Sequence, residues 1–488
     1  MAEKKEELAK IVGSYNVLDD PHILDAYSKD HSFVPPRQPR MLAKPRNVDE
    51  VQEIVKWANR TSTPLVPVSS GHPHFHGDTI PSTGGAVIVD LSGMKRIIRI
   101  DRRNRMTMIE PGVTFSQVQP ELAKEGLTLR MPLMPRSSKS VVASLLEREP
   151  TLIPRLQWHM PDPLRCVEVV WGNGDKLITG EAGDHGPLEE QWDMKLAQVR
   201  ALGPSQVDYY RLVSAAQGSM GIVTWASVRC EILPQVHKVF FAQSQRLDDL
   251  IGFAYRLLRF RYGDELLLLN SSNLVSILRE GTDQNRVLRG ELPPWVLVVG
   301  IAGREWLPKE RVEFQEKDIM DIAQQFGLQL SSVILGVNGV ELLEVMVSPS
   351  KEPYWKICSK GGYQDIFFLT TLDRTPEFVK IMYSVAEALG YPTSEIGIYI
   401  QPVQQGASCH CEFSLVFDPG NRKEVAKIQR LFTEGSEALI KQGAFFSRPY
   451  GIWADMAYNR DAQTTITLKK IKGIFDPNNV MNPGKLCF

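Results

Sequence analysis

Cysteine is scarce in this chain, and an excess of one charge and long apolar runs are both absent. The six cysteines among 488 residues are scattered and form no CxxC pair, so reduced thiols are expected rather than a disulfide framework. A formal net charge of -1 provides no basic excess for binding nucleic acid or an anionic membrane. No apolar run reaches the length of a membrane span, and the richest one, residues 295–302, fits a buried strand.

The N-terminal stretch also lacks the features of a secretory signal. Its sequence, MAEKKEELAKIVGSYNVLDD, is charged and has no apolar core. We therefore expect a soluble cytoplasmic protein with no membrane span. The length predicts two or three domains, and 43% hydrophobic with 23% charged residues is the balance of a globular chain.

One short segment, Cys409-His410-Cys411, has residue types that bind metals. Alternation along a strand would turn the two thiols to one face and the imidazole to the other. A cysteine-based metal site is therefore not expected.

The first half of the chain alternates strand and helix signals. Residues 1–35 are predicted to be helical, and the prolines at 35–39 break that segment. Asn47 is a good N-cap for a helix with its apolar face along residues 51–58. Strands are predicted at residues 42–45, 65–68, 86–90 and 107–114, the last turning into a helix near Phe115.

A change in composition near Pro234 indicates a domain boundary. Before it, Asn173-Gly174 predicts a hairpin of residues 166–171 and 176–179, and residues 222–232 predict one further strand. After it come longer elements at residues 248–260, 295–301 and 308–326. We predict one domain of residues 1–235, to which residues 443–488 return, and a second domain of residues 236–442.

Three short segments place small residues beside predicted strands. The sequence SSGHPHFHGD at 69–78 allows backbone N–H groups to approach a diphosphate closely. The sequence GSMGIVT at 218–224 permits close packing on a flat ligand, and FDPNNVMNPGK occupies 475–485. Each segment alone has a plain structural alternative, a tight turn or the end of a helix.

The order of these segments is more specific than any one of them. The sequences KPRNVDEVQEIVKWA, PVSSGHPHFHG, IEPGVT, GSMGIVT and FDPNNVMNPGKL follow one another along the chain. This series resembles the flavoproteins of the vanillyl-alcohol oxidase / p-cresol methylhydroxylase (PCMH) superfamily. The resemblance implies an α+β fold, with a two-subdomain PCMH-type FAD-binding domain and a C-terminal cap domain, an antiparallel sheet flanked by helices, for the substrate.

FAD is the cofactor that this resemblance implies. The segments around Gly71, Gly221 and Asn482 should fold together around it. The implied cofactor-binding residues are Val68, Ser69, Ser70, Gly71, His72, Pro73, His74, Phe75, Pro111, Gly112, Pro132, Leu133, Ser137, Ser140, Val141, Ser144, Gly218, Gly221, Ile222, Val223, Asn482 and Lys485.

The segment SVVASLLER from Ser140, the sequence VEVV at 167–170 and Pro449-Tyr450 resemble blocks of the 4-alkylphenol-oxidising branch. The HxxGDGNxH stretch of 2-hydroxy acid enzymes is absent. The resemblance implies that Glu147 lies beside flavin N5 and that Tyr450 binds the substrate oxygen. His76 stands where a second tyrosine is expected and Gly451 where an arginine is expected, which leaves Arg448 to compensate.

His410 lies near the position at which some relatives attach the flavin covalently. Non-covalent FAD is the expectation, and a covalent link through His410 is the alternative. The same histidine could instead contact substrate, since imidazole suits proton transfer near neutral pH.

These features predict an FAD-dependent oxidoreductase that abstracts hydride from a benzylic or allylic carbon, or from an alcohol, of a small aromatic, 4-alkylphenol-like substrate. One alternative is a D-2-hydroxy acid dehydrogenase of the lactate or glycolate type, with a divalent metal at His410 and Glu412. Another is the flavoprotein subunit of an electron-transfer complex, with a cytochrome or a second flavoprotein as partner. Relatives imply a homodimer or larger oligomer.

Overall fold

The computed structural model of the protein describes residues 2–154, 163–183, 186–203, 209–281 and 293–488. Its α-helices, in chain order, are α1 (Ala2–Val12), α2 (Pro21–Asp25), α3 (Val48–Thr61), α4 (Phe115–Lys124), α5 (Val141–Leu146), α6 (Leu188–Asp193), α7 (Tyr210–Val213), α8 (Leu247–Phe260), α9 (Ser271–Gly281), α10 (Pro308–Gln325), α11 (Gly339–Met346), α12 (Thr375–Ala388), α13 (Arg422–Lys441), α14 (Ile452–Tyr458) and α15 (Ala462–Phe475).

The strands are β1 (Val17–Leu18), β2 (Met41–Ala43), β3 (Leu65–Val68), β4 (Val87–Asp90), β5 (Ile97–Asp101), β6 (Met106–Ile109), β7 (Leu127–Thr128), β8 (Leu164–Trp171), β9 (Lys176–Ile178), β10 (Gly221–Arg229), β11 (Glu231–Ile232), β12 (Val236–Ser244), β13 (Leu266–Asn270), β14 (Trp295–Gly303), β15 (Leu330–Ser331), β16 (Val333–Ile334), β17 (Val337–Asn338), β18 (Gly362–Thr370), β19 (Ile396–Val403) and β20 (Ser408–Phe417).

The first sheet has the strand order β1-β2-β4-β3, with β2, β4 and β3 parallel. The helix α3 connects β2 to β3, and the Asn47 side chain accepts a hydrogen bond from the Glu50 N–H at its start, as the sequence predicts. The prediction that residues 1–35 are helical was wrong at Val17-Leu18, which pairs antiparallel with β2. Two residues are too few to show the alternation that identifies a strand.

The second sheet is antiparallel, with the order β5-β6-β10-β8-β9. The predicted hairpin around Asn173-Gly174 is confirmed as β8 and β9. The single strand predicted at 222–232 was wrong at its C-terminal end. Cys230 separates β10 from β11, and β11 pairs with β7 in a separate two-stranded ladder.

The third sheet has seven antiparallel strands in the order β15-β12-β14-β13-β19-β20-β18. Side chains alternate between two cores: Phe240 and Ala242 pack with α8, α10, α12 and α13, whereas Val239 and Phe241 pack with α9 and α11. The prediction of an antiparallel sheet flanked by helices is confirmed. The same alternation buries Cys409 and Cys411 in the first of these cores.

The C-terminal segment after α15 packs on the first half of the chain. Met481 forms a parallel bridge with Leu65, and the buried Lys472 ammonium donates to the carbonyls of Ser219 and Met481. Trp453, earlier in the chain, packs instead with the third sheet. The domain boundaries given above stay a prediction. None of the helices in the described ranges is both long and apolar enough to cross a lipid bilayer.

Candidate active site

A cleft lies where the first and second sheets meet the third. It encloses about 1660 Å³ of space, its open mouth included. One wall comes from the end of β3, the loop after it and the turn before β10. The other comes from the third sheet and the segment before α14. The predicted residues that line it are Val68, Ser69, Ser70, His74, Phe75, His76, Pro111, Pro132, Leu133, Glu147, Gly218, Gly221, Ile222, Val223, Arg448 and Tyr450.

The three segments that the sequence predicts to fold together do so at Asn482. Its side-chain amide donates to the carbonyl of Asp78 (3.2 Å) and to that of Gln217 (2.7 Å). The Lys485 ammonium donates to the carbonyl of Gly77 at 2.7 Å. The C-terminal segment therefore joins the loop after β3 to the turn before β10.

The remaining predicted cofactor-binding residues do not line the cleft. The Gly71 N–H donates to the Ser138 carbonyl, and the Ser140 hydroxyl donates to the Pro111 carbonyl while capping α5. A side chain at Gly112 would meet three carbonyl oxygens within 2.7 Å, so only glycine fits there. The others of this group are His72, Pro73, Ser137, Val141, Ser144, Asn482 and Lys485, of which His72 is exposed.

The residues present fit a dinucleotide ligand. Two buried polar atoms have no hydrogen-bond partner within the described ranges: Nε2 of His74, which lines the cleft, and Oδ1 of Asn482, which joins two segments of its wall. Buried polar atoms are nearly always satisfied, so a bound ligand or water is expected there. Small residues at Ser69, Ser70 and Gly218 leave room for close approach to the backbone.

A buried lysine shared by two carboxylates faces the cleft from the first half of the chain. Lys139 Nζ lies 2.7 Å from Glu147 Oε2 and 3.0 Å from Glu149 Oε1. The Ser144 hydroxyl donates to the other oxygen of Glu149 at 2.5 Å. We name these four residues the N-terminal lysine cluster. Arg148, at φ 57°, reverses the chain after α5, so both of its neighbours point toward Lys139.

The two carboxylates of the N-terminal lysine cluster differ in pKa. Burial, together with the charge of Glu149, raises the pKa of Glu147 to about 7 despite the nearby Lys139. Burial opposes ionisation of Glu149 too, but Lys139 and the Ser144 hydroxyl lower its pKa to about 2. Burial would lower the pKa of Lys139, and the two carboxylates raise it instead. The cluster thus holds one fixed ion pair and one carboxyl that titrates near neutral pH.

A second shared lysine faces the cleft from the third sheet. Lys356 Nζ lies 2.6 Å from Asp365 Oδ2 and 2.6 Å from Glu412 Oε1. The Ser414 hydroxyl donates to the other oxygen of Asp365 at 2.6 Å. We name these four residues the C-terminal lysine cluster. Asp365 and Ser414 are register partners on β18 and β20, so the sheet itself sets this contact.

Burial and the charge of Glu412 raise the pKa of Asp365 to about 6. Lys356 and His410 lower the pKa of Glu412 although burial opposes this. The Lys356 ammonium occupies the space between the two carboxylates that a cation would fill. Within the described ranges, no three His, Cys, Asp or Glu side chains are arranged to hold a metal ion.

Arg448, Tyr450 and His76 come together in the cleft. The rings of His76 and Tyr450 stack with centroids 4.6 Å apart, and the Arg448 guanidinium lies 4.2 Å from the centre of the Phe367 ring. Burial, then Lys139 and Arg448, lowers the pKa of His76 to about 3, so its imidazole is neutral. Burial raises the pKa of Tyr450, which keeps its hydroxyl protonated.

Arg448 is buried, with 4% of its surface exposed. It forms no ion pair and no hydrogen bond with any residue in the described part of the chain, and its Nε is enclosed without a partner. A buried guanidinium without a carboxylate is costly. The cleft therefore presents to a ligand a buried positive charge with no directly paired carboxylate, although Glu149 interacts with it at longer range.

His410 is fully buried beside the cleft and does not line it. Its Nε2 lies 3.3 Å from Glu412 Oε2, and its Nδ1 has no partner among the described residues. Burial lowers its pKa, although Glu412 opposes this. The covalent link through His410 stays a prediction.

Most of the two lysine clusters and the aromatic wall were not predicted from the sequence. The overlooked lining residues are Lys139, Glu149, Tyr354, Trp355, Lys356, Tyr363, Asp365, Phe367, Tyr399 and Glu412, of which only Glu412 was considered, as a metal ligand. The sequence does contain a signal for the two carboxylates of the C-terminal lysine cluster. Asp365 and Glu412 interrupt the apolar strand sequences GYQDIFFLT and SCHCEFSLVF, and a carboxylate inside such a strand needs a partner.

Comparisons with known proteins agree with this arrangement. Residues 39–149 match the family model "FAD binding domain", and residues 372–486 match "FAD linked oxidases, C-terminal domain". The chain is 23% identical to the glycolate oxidase subunit GlcD of Bacillus subtilis (strain 168), covering 99% of this chain and 96% of that protein. It is 29% identical to the 4-cresol dehydrogenase [hydroxylating] flavoprotein subunit of Pseudomonas putida, covering 37% and 35%.

Among solved structures, p-cresol methylhydroxylase with substrate bound has a similar fold, with a TM-score of 0.83. The alignment covers 100% of this chain and 96% of that one at 19% identity. The fold is therefore shared, whereas the aligned residues differ at most positions.

Proposed function

Because this chain belongs to the PCMH-type FAD-linked oxidase superfamily and is an FAD-dependent oxidoreductase, we propose that it abstracts hydride from a small aromatic substrate whose anionic oxygen binds Arg448. The observation that carries the proposal is the buried Arg448 guanidinium, which has no ion-pair partner among the described residues. An oxyanion of the substrate would supply the missing negative charge.

The neighbours of Arg448 favour a phenolate over an aliphatic oxyanion. Tyr450 keeps its hydroxyl as a hydrogen-bond donor, and the neutral His76 stacks on it. Phe367 contacts all three residues, and further aromatic rings line the same cleft: Tyr354, Tyr363 and Tyr399. A planar ring with one ionised oxygen, such as a 4-alkylphenol, matches both the rings and the charge.

Bound FAD would supply the two-electron acceptor. Arg448 and Tyr450 would hold the substrate oxygen, where charge develops as hydride leaves the benzylic carbon. Glu147, with a pKa raised to about 7, can hold or accept a proton at the same cleft. The aromatic walls would exclude water from the reacting carbon.

A D-2-hydroxy acid is the second candidate substrate. The full-length similarity to the glycolate oxidase subunit GlcD favours it, and a guanidinium can bind a carboxylate through two parallel hydrogen bonds. In this form the substrate carboxylate would lie at Arg448, and Lys356 would replace a metal ion as the nearby cation. The relevant substrates are lactate and glycolate.

The test is anaerobic bleaching of the flavin by a panel of 4-alkylphenols, aryl alcohols and 2-hydroxy acids, with wild-type protein and Arg448→Met. For the correct class, Arg448→Met should weaken binding about 10- to 100-fold, the value of a charged hydrogen bond. Binding of the neutral O-methyl ether of the same phenol should change little. Arg430→Met is the matched control, because Arg430 is exposed and pairs with Glu434.

The role of Arg448 would be contradicted if wild type and Arg448→Met were bleached equally at low concentrations of every substrate that bleaches the flavin. Protein that is colourless and takes up no FAD would contradict the function as a whole. Acid precipitation tests whether FAD is bound covalently, because flavin that stays in the pellet is covalently attached.

Two kinds of electron acceptor are compatible with this function. With oxygen the protein would be an oxidase, and with a cytochrome or a second flavoprotein it would be a dehydrogenase. Slow reoxidation in air with fast reoxidation by an added cytochrome would favour the second form. A cytoplasmic location and a homodimer stay predictions.

A further inference from the structure

The N-terminal lysine cluster places one ammonium between two carboxylates at the cleft wall. Lys139, Glu147 and Glu149 all line the cleft, and Lys139 contacts both acids within 3.0 Å. An isolated ion pair would need only one of these acids. The second carboxylate is unexplained by the substrate-binding role given to Arg448 and Tyr450.

We propose that Glu149 is a positioning residue that shares the Lys139 ammonium and thereby keeps Glu147 able to accept a proton during turnover. This inference rests on the proposed function, because Glu147 is assigned there as the proton-holding group of the cleft. Lys139 is the shared counter-ion, and Ser144 anchors Glu149 by its hydrogen bond.

The geometry gives each residue a separate part. Ser144 lies on α5 and fixes Glu149 Oε2, which leaves Glu149 Oε1 for Lys139. Glu147 follows the last turn of α5 and contacts Lys139 through Oε2 alone. With one of its three N–H donors directed at each acid, Lys139 neutralises only one of the two negative charges.

Glu147 is surrounded by charges on several elements. Lys139 and Glu149 flank it along its own segment, and Asp78 acts on it from the loop after β3. Its charge also acts on Tyr450, in the segment before α14. Two of these groups, Glu149 and Asp78, disfavour the carboxylate form of Glu147, whereas Lys139 favours it.

The proton balance requires such an acceptor. With an alcohol substrate, hydride would pass from the C–H bond to bound FAD, and the O–H proton would have to pass to a base of the protein. When an alkylphenolate is oxidised, the proton comes from the water molecule that adds to the oxidised carbon. In both cases the Glu147 carboxylate becomes a carboxylic acid, and the Lys139–Glu149 ion pair stays unchanged.

The experiment is an infrared pH titration of the carboxylic acid C=O band in the FAD-loaded protein without substrate. The band that disappears in Glu147→Gln is assigned to Glu147, with an expected midpoint near the pKa of about 7. Glu149→Gln should lower this midpoint by about one pH unit or more, because Lys139 then serves Glu147 alone. Lys139→Met should raise it.

The exposed pair Glu121 and Lys124 provides the matched control, and Glu121→Gln should leave the midpoint unchanged. The pH profile of anaerobic flavin reduction should shift in the same direction as the infrared midpoint. An unchanged or raised midpoint in Glu149→Gln overturns the inference, even if Lys139→Met does not fold. Because the titration contains no substrate, a wrong substrate class would leave its result intact.

Discussion

The N-terminal and C-terminal lysine clusters are alike in composition and differ in how the chain assembles them. Each consists of one buried lysine, two carboxylates and a serine that donates to one of those carboxylates. Lys139 and Glu147 are 8 residues apart in sequence, whereas Lys356 and Glu412 are 56 apart. The first cluster is built by α5 and the residues directly before and after it, the second by a loop and two strands.

The two clusters also differ in how far their carboxylates are exposed to solvent. The side chains of Glu147 and Glu149 are 19% and 20% exposed, against 7% and 12% for Asp365 and Glu412. The C-terminal lysine cluster is therefore drier and is held by the ladder between β18 and β20. We expect it to contribute more to stability, and the N-terminal lysine cluster to contribute more to turnover.

The largest effect is expected for Lys356→Met. It would leave Asp365 and Glu412 buried and close together without a counter-ion, which costs about 3–5 kcal/mol of the free energy of unfolding. Urea unfolding at pH 7 measures this loss. Lys360→Met is the control, since Lys360 also bridges two glutamates but is more exposed, and its loss should be about 1 kcal/mol or less.

A loss below about 1 kcal/mol in Lys356→Met would contradict the structural role of the C-terminal lysine cluster. A double variant, Lys356→Met with Asp365→Asn, should recover part of the loss because it removes one uncompensated charge. Failure to recover any of it would point to lost packing of the lysine side chain rather than to charge.

The two serines give a smaller and more direct comparison. Ser414→Ala removes a hydrogen bond to the dry Asp365 and should cost about 2 kcal/mol. Ser144→Ala removes one to Glu149 and should cost about 1 kcal/mol, because water can replace the hydroxyl at a more open site. Urea unfolding of both variants at pH 7 gives the order, and equal losses would mean that the clusters are equally dry.

Two histidines, His76 in the cleft and His410 beside it, provide the comparison with the smallest effect. Burial and the Lys139 and Arg448 charges lower the pKa of His76 to about 3 from 6.5, whereas Glu412 opposes the lowering at His410. Between pH 3 and pH 6.5, His76 is protonated in the unfolded chain and neutral in the folded protein. The free energy of unfolding therefore falls as pH drops below 6.5, by about 1.4 kcal/mol per pH unit from this residue.

His76→Gln should remove that part of the pH dependence, so the wild-type and variant curves of unfolding free energy should diverge by about 1 kcal/mol between pH 6.5 and 5.5. Substituting His22, which is exposed, provides the control. Parallel curves would show that water reaches His76 in the folded protein.

Local signals in the sequence predicted the framework well. The N-cap Asn47 and the Asn173-Gly174 hairpin each act through neighbouring residues, and both elements were placed correctly. Glu147 was found through the resemblance of its segment. Val17-Leu18 was missed because a two-residue strand has no period to detect.

The C-terminal lysine cluster could not be assembled from the sequence. Its residues meet only through the register of β18 with β20, and no local pattern fixes that register. The same holds for the contact between His76 and Tyr450, which joins a loop of the first half to the segment before α14. Contacts between segments that are distant in sequence could not be predicted from it.

The bridge made by Asn482 has a consequence for biosynthesis. Its amide holds the carbonyls of Asp78 and Gln217 together, and Lys485 holds that of Gly77. A nascent chain that has not yet emerged as far as these residues lacks these three hydrogen bonds, although Ile222 can already pack against the first sheet. We therefore expect the loop after β3 and the turn before β10 to reach their final positions only once residues 482–485 have been translated.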